Sequence, residues 1–125
     1  MTVIDASAWV AVLGSDPIDA FGDSALFVPG HFDAEVLNAL RGLVCGGRLT
    51  REAGAEFLDA LRDAPLFRIS VGELTEAAWP LAEAVSAYDA LYVALARRED
   101  VALVTADARL ARGASDLCEV RLLEP

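Results

Sequence analysis

The residues best equipped for chemistry are four acids in compact settings. Asp5 closes the apolar run Thr2-Val3-Ile4 and is followed by Ala-Ser7-Ala. Glu35 stands in His31-x-x-x-Glu35-Val-x-Asn38-Ala-Leu. Asp89 stands in Ser86-Ala-Tyr-Asp-Ala-Leu-Tyr-Val-Ala-Leu-Ala, and Asp107 in Leu-Val-Thr105-Ala-Asp-Ala-Arg-Leu. Carboxylates held a few ångströms apart repel, so they must neutralise, separate or bind a cation. Oxygen donors of this kind suit the hard ions Mg²⁺ or Mn²⁺. Such ions make water nucleophilic and clamp the oxygens of a phosphodiester under attack. A plainer role fits the same positions. Acids are favoured at helix N-termini, where they cap free N–H groups and oppose the helix dipole. Asp5, Thr105 and Asp107 could each cap a helix, and Ser86-x-x-Asp89 has the capping-box pattern. Glu35 could be solvated with Asn38, on the flank away from Val36 and Leu40.

The rest of the composition narrows the options. All ten basic residues are arginines, against twenty Asp and Glu, for a net charge of −10. The absence of lysine excludes a P-loop phosphate site, a Schiff base and a kinase-type lysine. One histidine, His31, leaves no His-His metal motif and little for a Ser-His-Asp triad. Cys45 and Cys118 form no C-x-x-C pair, which favours a reduced, cytoplasmic protein. Neither a secretory leader nor a membrane span is apparent. The acidic surface disfavours nucleic-acid binding by basic charge alone. It leaves room for a nuclease that recruits substrate through metal ions and a few arginines.

Short apolar runs alternate with helical patterns along the chain. Strands are expected at 2–5, 25–28, 66–69 and 101–104, with a possible fifth at 120–123. Helices are expected from 6 to 13, from Pro17, over 32–45 with Val36, Leu37, Leu40, Leu43 and Val44 on one face, and from Thr50 with Ala53, Phe57, Leu58 and Leu61 inward. Others follow over 73–85, interrupted by Pro80, and 87–98, with a turn over 107–112. This alternation predicts one domain over 1–125: a three-layer α/β/α sandwich with a central parallel sheet of four to five short strands. Ligands of such sheets bind beyond the carboxyl ends of the strands, near a topological switch. Parallel pairing would bring Asp5 and Asp107 to one sheet edge.

With the four motifs in order, the chain resembles the PIN-domain proteins, and in spacing and length the VapC toxins of bacterial toxin–antitoxin pairs. The resemblance covers essentially the whole chain. It implies a metal-dependent endoribonuclease acting on structured RNA of the tRNA or rRNA class. Asp5, Glu35, Asp89 and Asp107 match the acidic quartet that holds Mg²⁺ or Mn²⁺, and Ser7 and Thr105 match positions that support the site by hydrogen bonding. It further implies a homodimer inhibited by a cognate VapB-type antitoxin, and no membrane partner.

Other residues have competing roles. Arg109 and Arg112 follow Asp107 closely and are candidates for RNA phosphate contact, with surface ion pairing as the alternative. Arg97 and Arg98 suit a helix C-terminus. His31 reads as a residue at a helix start that contacts backbone, with metal ligation or base catalysis as the alternative. Trp9 reads as core or dimer interface, and Trp79 and Phe57 as core or partner groove. Tyr88 and Tyr92 flank Asp89 four residues apart; packing is their default role, with one of them reaching the site as the alternative. Three rival folds fail on single residues. A receiver domain needs a lysine, a haloacid-dehalogenase-type phosphatase needs Asp where Ser7 stands, and the D-x-S-x-S metal motif needs Ser where Trp9 stands. A non-catalytic acidic module that binds a basic partner protein is the alternative from another class.

Overall fold

The computed structural model describes residues 1–22 and 25–124. Five strands form one sheet in the order β3-β2-β1-β4-β5, every pairing parallel. They are β1 (Thr2–Ile4), β2 (Leu26–Pro29), β3 (Leu66–Ile69), β4 (Leu103–Thr105) and β5 (Val120–Leu122). The helices are α1 (Ala6–Ala11), α2 (Pro17–Phe21), α3 (Phe32–Cys45), α4 (Arg51–Asp63), α5 (Thr75–Ala78), α6 (Ala87–Glu99) and α7 (Ala108–Ala114). The chain steps outward from β1 through β2 to β3, then returns to add β4 on the other flank of β1. That reversal makes the β1/β4 crevice the topological switch point. Right-handed crossovers put α1, α3 and α4 on one face and α6 and α7 on the other. Packing agrees: α1 lies on α3 and α3 on α4, while α6 lies on β1, β2 and β4.

Local chemistry explains the boundaries. Asp16 caps α2 with a side-chain bond to Ile18 N–H at 2.8 Å, and Pro17 supplies the first helical φ. Gly22 ends α2 in the left-handed region, at φ 67°. Thr50 caps α4 through Ala53 N–H at 3.1 Å. Arg68 on β3 grips Asp33 of α3 with two bonds, at 2.7 and 2.9 Å, and also donates to the Leu61 carbonyl of α4 at 3.2 Å. This fork ties the edge strand to the helical layer.

Residues 90–96 of α6 are all buried. A helix apolar on every side must be covered on every side. The sheet covers one side of α6, and α5 with the short 3₁₀ turn Trp79–Glu83 covers another. The continuous helix expected over 73–85 is therefore not present. It is broken into a 3₁₀ turn at Val71–Glu73, α5, and the second 3₁₀ turn. Pro80 within the first residues of that second turn withholds an N–H from any longer helix. Trp79 is not core; it is 81% exposed. Leu37 also leaves the expected stripe and is 53% exposed, whereas Val36 and Leu40 are buried. Leu37 instead lines a shallow cavity with Leu58, Leu61 and Arg68. On α4 only Gly54 and Leu61 are fully buried, so Ala53, Phe57 and Leu58 pack at its margin. Trp9 is core, edge-on to Phe32 with ring centroids 6.0 Å apart.

Candidate active site

All four acids lie at helix starts on the carboxyl edge of the sheet. Asp5 follows β1 and is the N-cap of α1; Asp107 follows β4 and is the N-cap of α7. Glu35 is in the first turn of α3 and Asp89 in the first turn of α6.

Asp5 is 95% hidden from solvent, its exposure being 5%. Its Oδ1 accepts from Ala8 N–H at 2.9 Å and from the Ser7 hydroxyl at 2.7 Å. Its Oδ2 accepts from the Thr105 hydroxyl at 2.5 Å. Ser7 and Thr105 also meet each other at 3.1 Å. Ser7 Oγ accepts from Ala106 N–H at 3.0 Å, and Thr105 Oγ1 from Asp107 N–H at 3.0 Å. These bonds join the ends of β1 and β4, so the two hydroxyls fix the first acid against the strand that carries the fourth. Burial pushes the Asp5 carboxyl above its ordinary range, against the three hydrogen bonds; the nearby Asp89 charge adds to the rise.

Asp89 is half-buried, and burial raises its pKa first. Ser86 opposes the rise, the charges of Glu35 and Asp107 add to it, and Arg109 opposes it. The four acids thus share one electrostatic neighbourhood centred on Asp89. Capping bonds account for Asp5 and for Asp107, whose Oδ1 accepts from Arg109 and Leu110 N–H at 2.9 and 3.3 Å. No such bond is made by the Glu35 or Asp89 carboxylate among the described residues. Helix capping therefore accounts for Asp5 and Asp107 and does not by itself account for Glu35 and Asp89.

Glu35 Oε1 accepts from the Tyr92 hydroxyl at 2.6 Å and lies 3.5 Å from His31 Nε2. Burial keeps the Tyr92 phenol protonated far above its ordinary range, and the Glu35 charge adds to this. Of the two tyrosines flanking Asp89, Tyr92 reaches the acids, while Tyr88 is 66% exposed. The i,i+4 spacing of Tyr88 and Tyr92 is local, whereas the Tyr92–Glu35 bond joins partners 57 residues apart, which no local pattern signals. His31 Nε2 lies 3.1 Å from the Tyr88 carbonyl, the backbone contact expected of it. A carbonyl oxygen can only accept, so this contact is a hydrogen bond in the tautomer that carries the proton on Nε2. His31 Nδ1 is buried with no partner among the described residues.

Two cavities flank the acids. A 680 Å³ groove between α1 and α3 is lined by Ser7, His31, Glu35, Asn38 and Tyr88. A 350 Å³ cavity on the other side is lined by Glu83, Ser86, Asp89, Arg109 and Gly113. Arg109 thus faces the acids, whereas Arg112 is not among the residues lining that cavity. A third, apolar cavity lined by Trp9, Leu13, Pro17, Phe57 and Pro65 holds none of the four acids.

The donor set suits a hard divalent cation: carboxylate oxygens that repel one another, and no basic side chain in ion-pair contact with Asp5, Asp89 or Asp107 among the described residues. As the side chains stand, no three His, Cys, Asp or Glu of the described residues approach closely enough to ligate one ion. A small hydrated ion such as Mg²⁺ is held by one or two direct carboxylates and water, so the arrangement fits without a closed cage.

The PIN domain family model matches residues 2–115. Ribonuclease VapC3 of Mycobacterium tuberculosis is 40% identical over 116 residues, covering 88% of this chain and 85% of the relative. Ribonuclease VapC9 of the same species is 37% identical over 125 residues, covering 98% of each. Among solved structures, M. tuberculosis VapC20, described as a sarcin-ricin loop cleaving toxin, superposes with a TM-score of 0.68 at 19% identity, over 97% of this chain and 99% of its own. That last likeness establishes the shared fold. From the family match and these full-length relatives, the chain belongs to the VapC ribonucleases of the PIN-domain family.

Proposed function

We propose that this chain is a metal-dependent endoribonuclease of the toxin type, with Asp5, Glu35, Asp89 and Asp107 as its cation-binding set. The observation that carries the reading is the convergence of four acids from four separate elements on the β1/β4 switch point. Mg²⁺ or Mn²⁺, when held there, supplies charge against the phosphodiester and makes water more acidic. Asp5, fixed by Ser7, Thr105 and Ala8 N–H, anchors the site without reorganising during reaction. Asp89 and Glu35 face it from α6 and α3, and burial holds the Asp89 carboxyl above its ordinary range. Arg109 offsets the charge of a phosphate brought beside Asp89, and Arg112 extends that cationic edge along α7.

Structured RNA of the tRNA or rRNA class is the substrate we assign, delivered to the two cavities. A cognate VapB-type antitoxin with basic side chains would neutralise the same acidic edge, and a homodimer is the assembly proposed. Support comes from membership of the VapC ribonucleases. None of the described helices is long and apolar enough to cross a membrane.

The test is cleavage of a bulk tRNA and rRNA pool by partner-free protein. We expect cleavage with Mg²⁺ or Mn²⁺, none with EDTA, and a fall of about a hundredfold or more for Asp5→Asn and Asp89→Asn. Wild-type rates in either variant would refute the assignment.

A further inference from the structure

Helices α3 and α6 meet through a repeated register. His31 and Glu35 stand four apart at the start of α3, and Tyr88 and Tyr92 four apart at the start of α6. His31 Nε2 meets the Tyr88 carbonyl at 3.1 Å, and the Tyr92 hydroxyl meets Glu35 Oε1 at 2.6 Å, each across 57 residues. Asp89 lies in the helical turn between the two gripped tyrosines.

The second of these contacts is costly to make by chance. Tyr92 is fully buried, and phenylalanine would fill the same space with no polar atom to satisfy. Among the described residues, the side-chain partner of its hydroxyl is Glu35. Glutamate is a long side chain that loses freedom when ordered. With Oε1 bonded to Tyr92 and close to His31, Oε2 has no hydrogen-bond partner among the described residues.

We infer that Tyr92 is a positioning residue: its hydroxyl holds Glu35 Oε1, so that Glu35 offers Oε2 from a fixed place to the divalent cation. This rests on the metal-nuclease reading above. It adds a buried tyrosine to the residues that prepare the site. Partners that orient metal-ligating side chains change affinity by about 10–100-fold when removed.

The test is Mn²⁺ binding, followed by the electron paramagnetic resonance of free Mn²⁺, in wild type, Tyr92→Phe, Glu35→Gln and the double variant. We expect about a tenfold or greater loss of affinity in Tyr92→Phe, with the fold retained. The double variant should bind no more weakly than Glu35→Gln alone, because a residue acting through Glu35 has nothing left to act on. Unchanged affinity in Tyr92→Phe, or losses that add in the double variant, would overturn the inference. If wild type shows no Mn²⁺ site that Asp5→Asn removes, the metal reading fails and takes this inference with it. A second readout does not need Tyr92→Phe to fold. In Tyr88→Phe protein labelled with fluorotyrosine, Tyr92 is the remaining tyrosine of two and gives a single ¹⁹F resonance. It should shift on Glu35→Gln and broaden with Mn²⁺; a resonance indifferent to Glu35→Gln overturns the inference as well.

Discussion

Asp5 illustrates how a site residue opposes the fold that holds it. Its carboxyl binds protons more tightly in the folded chain than in the unfolded one, mainly through burial. Between the ordinary value of 3.8 and the raised folded value, the folded state therefore holds more protons. The stability Asp5 contributes is full below the unfolded value and is lost as pH rises through the folded one. Asp89 acts in the same direction. Asparagine caps a helix as well as aspartate does and carries no charge to bury. In metal-free protein Asp5→Asn should thus melt higher relative to wild type at pH 7 than at acid pH, although its amide nitrogen cannot accept the Thr105 hydroxyl as Oδ2 does. Near pH 4 the difference should shrink, as the wild-type carboxyl takes up its proton. Thermal melts at the two pH values check this; an equal gap at both would show that ionisation of Asp5 is not the source. That the four acids stand at helix starts was legible in the sequence from local capping patterns, whereas the bonds of Ser7 and Thr105 to Asp5 were implied by the family resemblance. The Tyr92–Glu35 bond was not legible there, since nothing local links residues 57 apart.

At the scale of elements, β4 delivers more than its acid. Its last residue, Thr105, donates to Asp5 Oδ2 at the start of α1 and accepts from Asp107 N–H at the start of α7. One buried hydroxyl thereby fixes the entry of two helices. Thr105→Val keeps the shape and removes both bonds, leaving a buried carboxylate oxygen short of a donor. We expect a loss of about 1–3 kcal/mol, measured by denaturant unfolding, with cleavage reduced in parallel. A variant as stable as wild type would show that Ser7 alone suffices to hold Asp5. Helix boundaries followed the sequence where caps and glycines mark them, as for α2, α3 and α4. Residues 71–83 departed from it. An apolar pattern with helical spacing is satisfied equally by one long helix or by broken turns wrapped over α6, and only the buried outer side of α6 decides between them. Leu37 and Trp79 departed for a related reason: periodicity marks which residues are apolar and cannot say whether the surface opposite is occupied.

For the whole molecule, charge is the controlling property. With a net charge of −10, the surface as a whole repels phosphate. Several arginines are already engaged: Arg62 with Asp59 and Asp63, Arg68 with Asp33, Arg98 with Glu73 and Glu99, and Arg121 with Glu119. With Arg109 and Arg112 as the proposed phosphate contacts, few counterions are released from RNA. The logarithm of RNA affinity should therefore fall only shallowly with the logarithm of salt, with a slope of about −1 to −2. A basic antitoxin peptide should instead lose affinity steeply over the same range. Binding titrations from low to moderate salt check both; a steep RNA slope would mean that arginines beyond Arg109 and Arg112 contact phosphate. The parallel sheet itself was foreseen from apolar runs too short and continuous for one-sided strands. The order of its strands was not, because several right-handed orders bury the same residues.

That order has a consequence for how the protein comes into being. Asp5 leaves the ribosome early, but its bond to Thr105 spans 100 residues. Until β4 has emerged and slipped in beside β1, Asp5 lacks the Thr105 hydroxyl and the acid that follows it. A partly made chain carries Asp5, Glu35 and Asp89 without the strand that closes the site. The site is therefore complete only once β4 has paired with β1, whatever the order in which the other strands form.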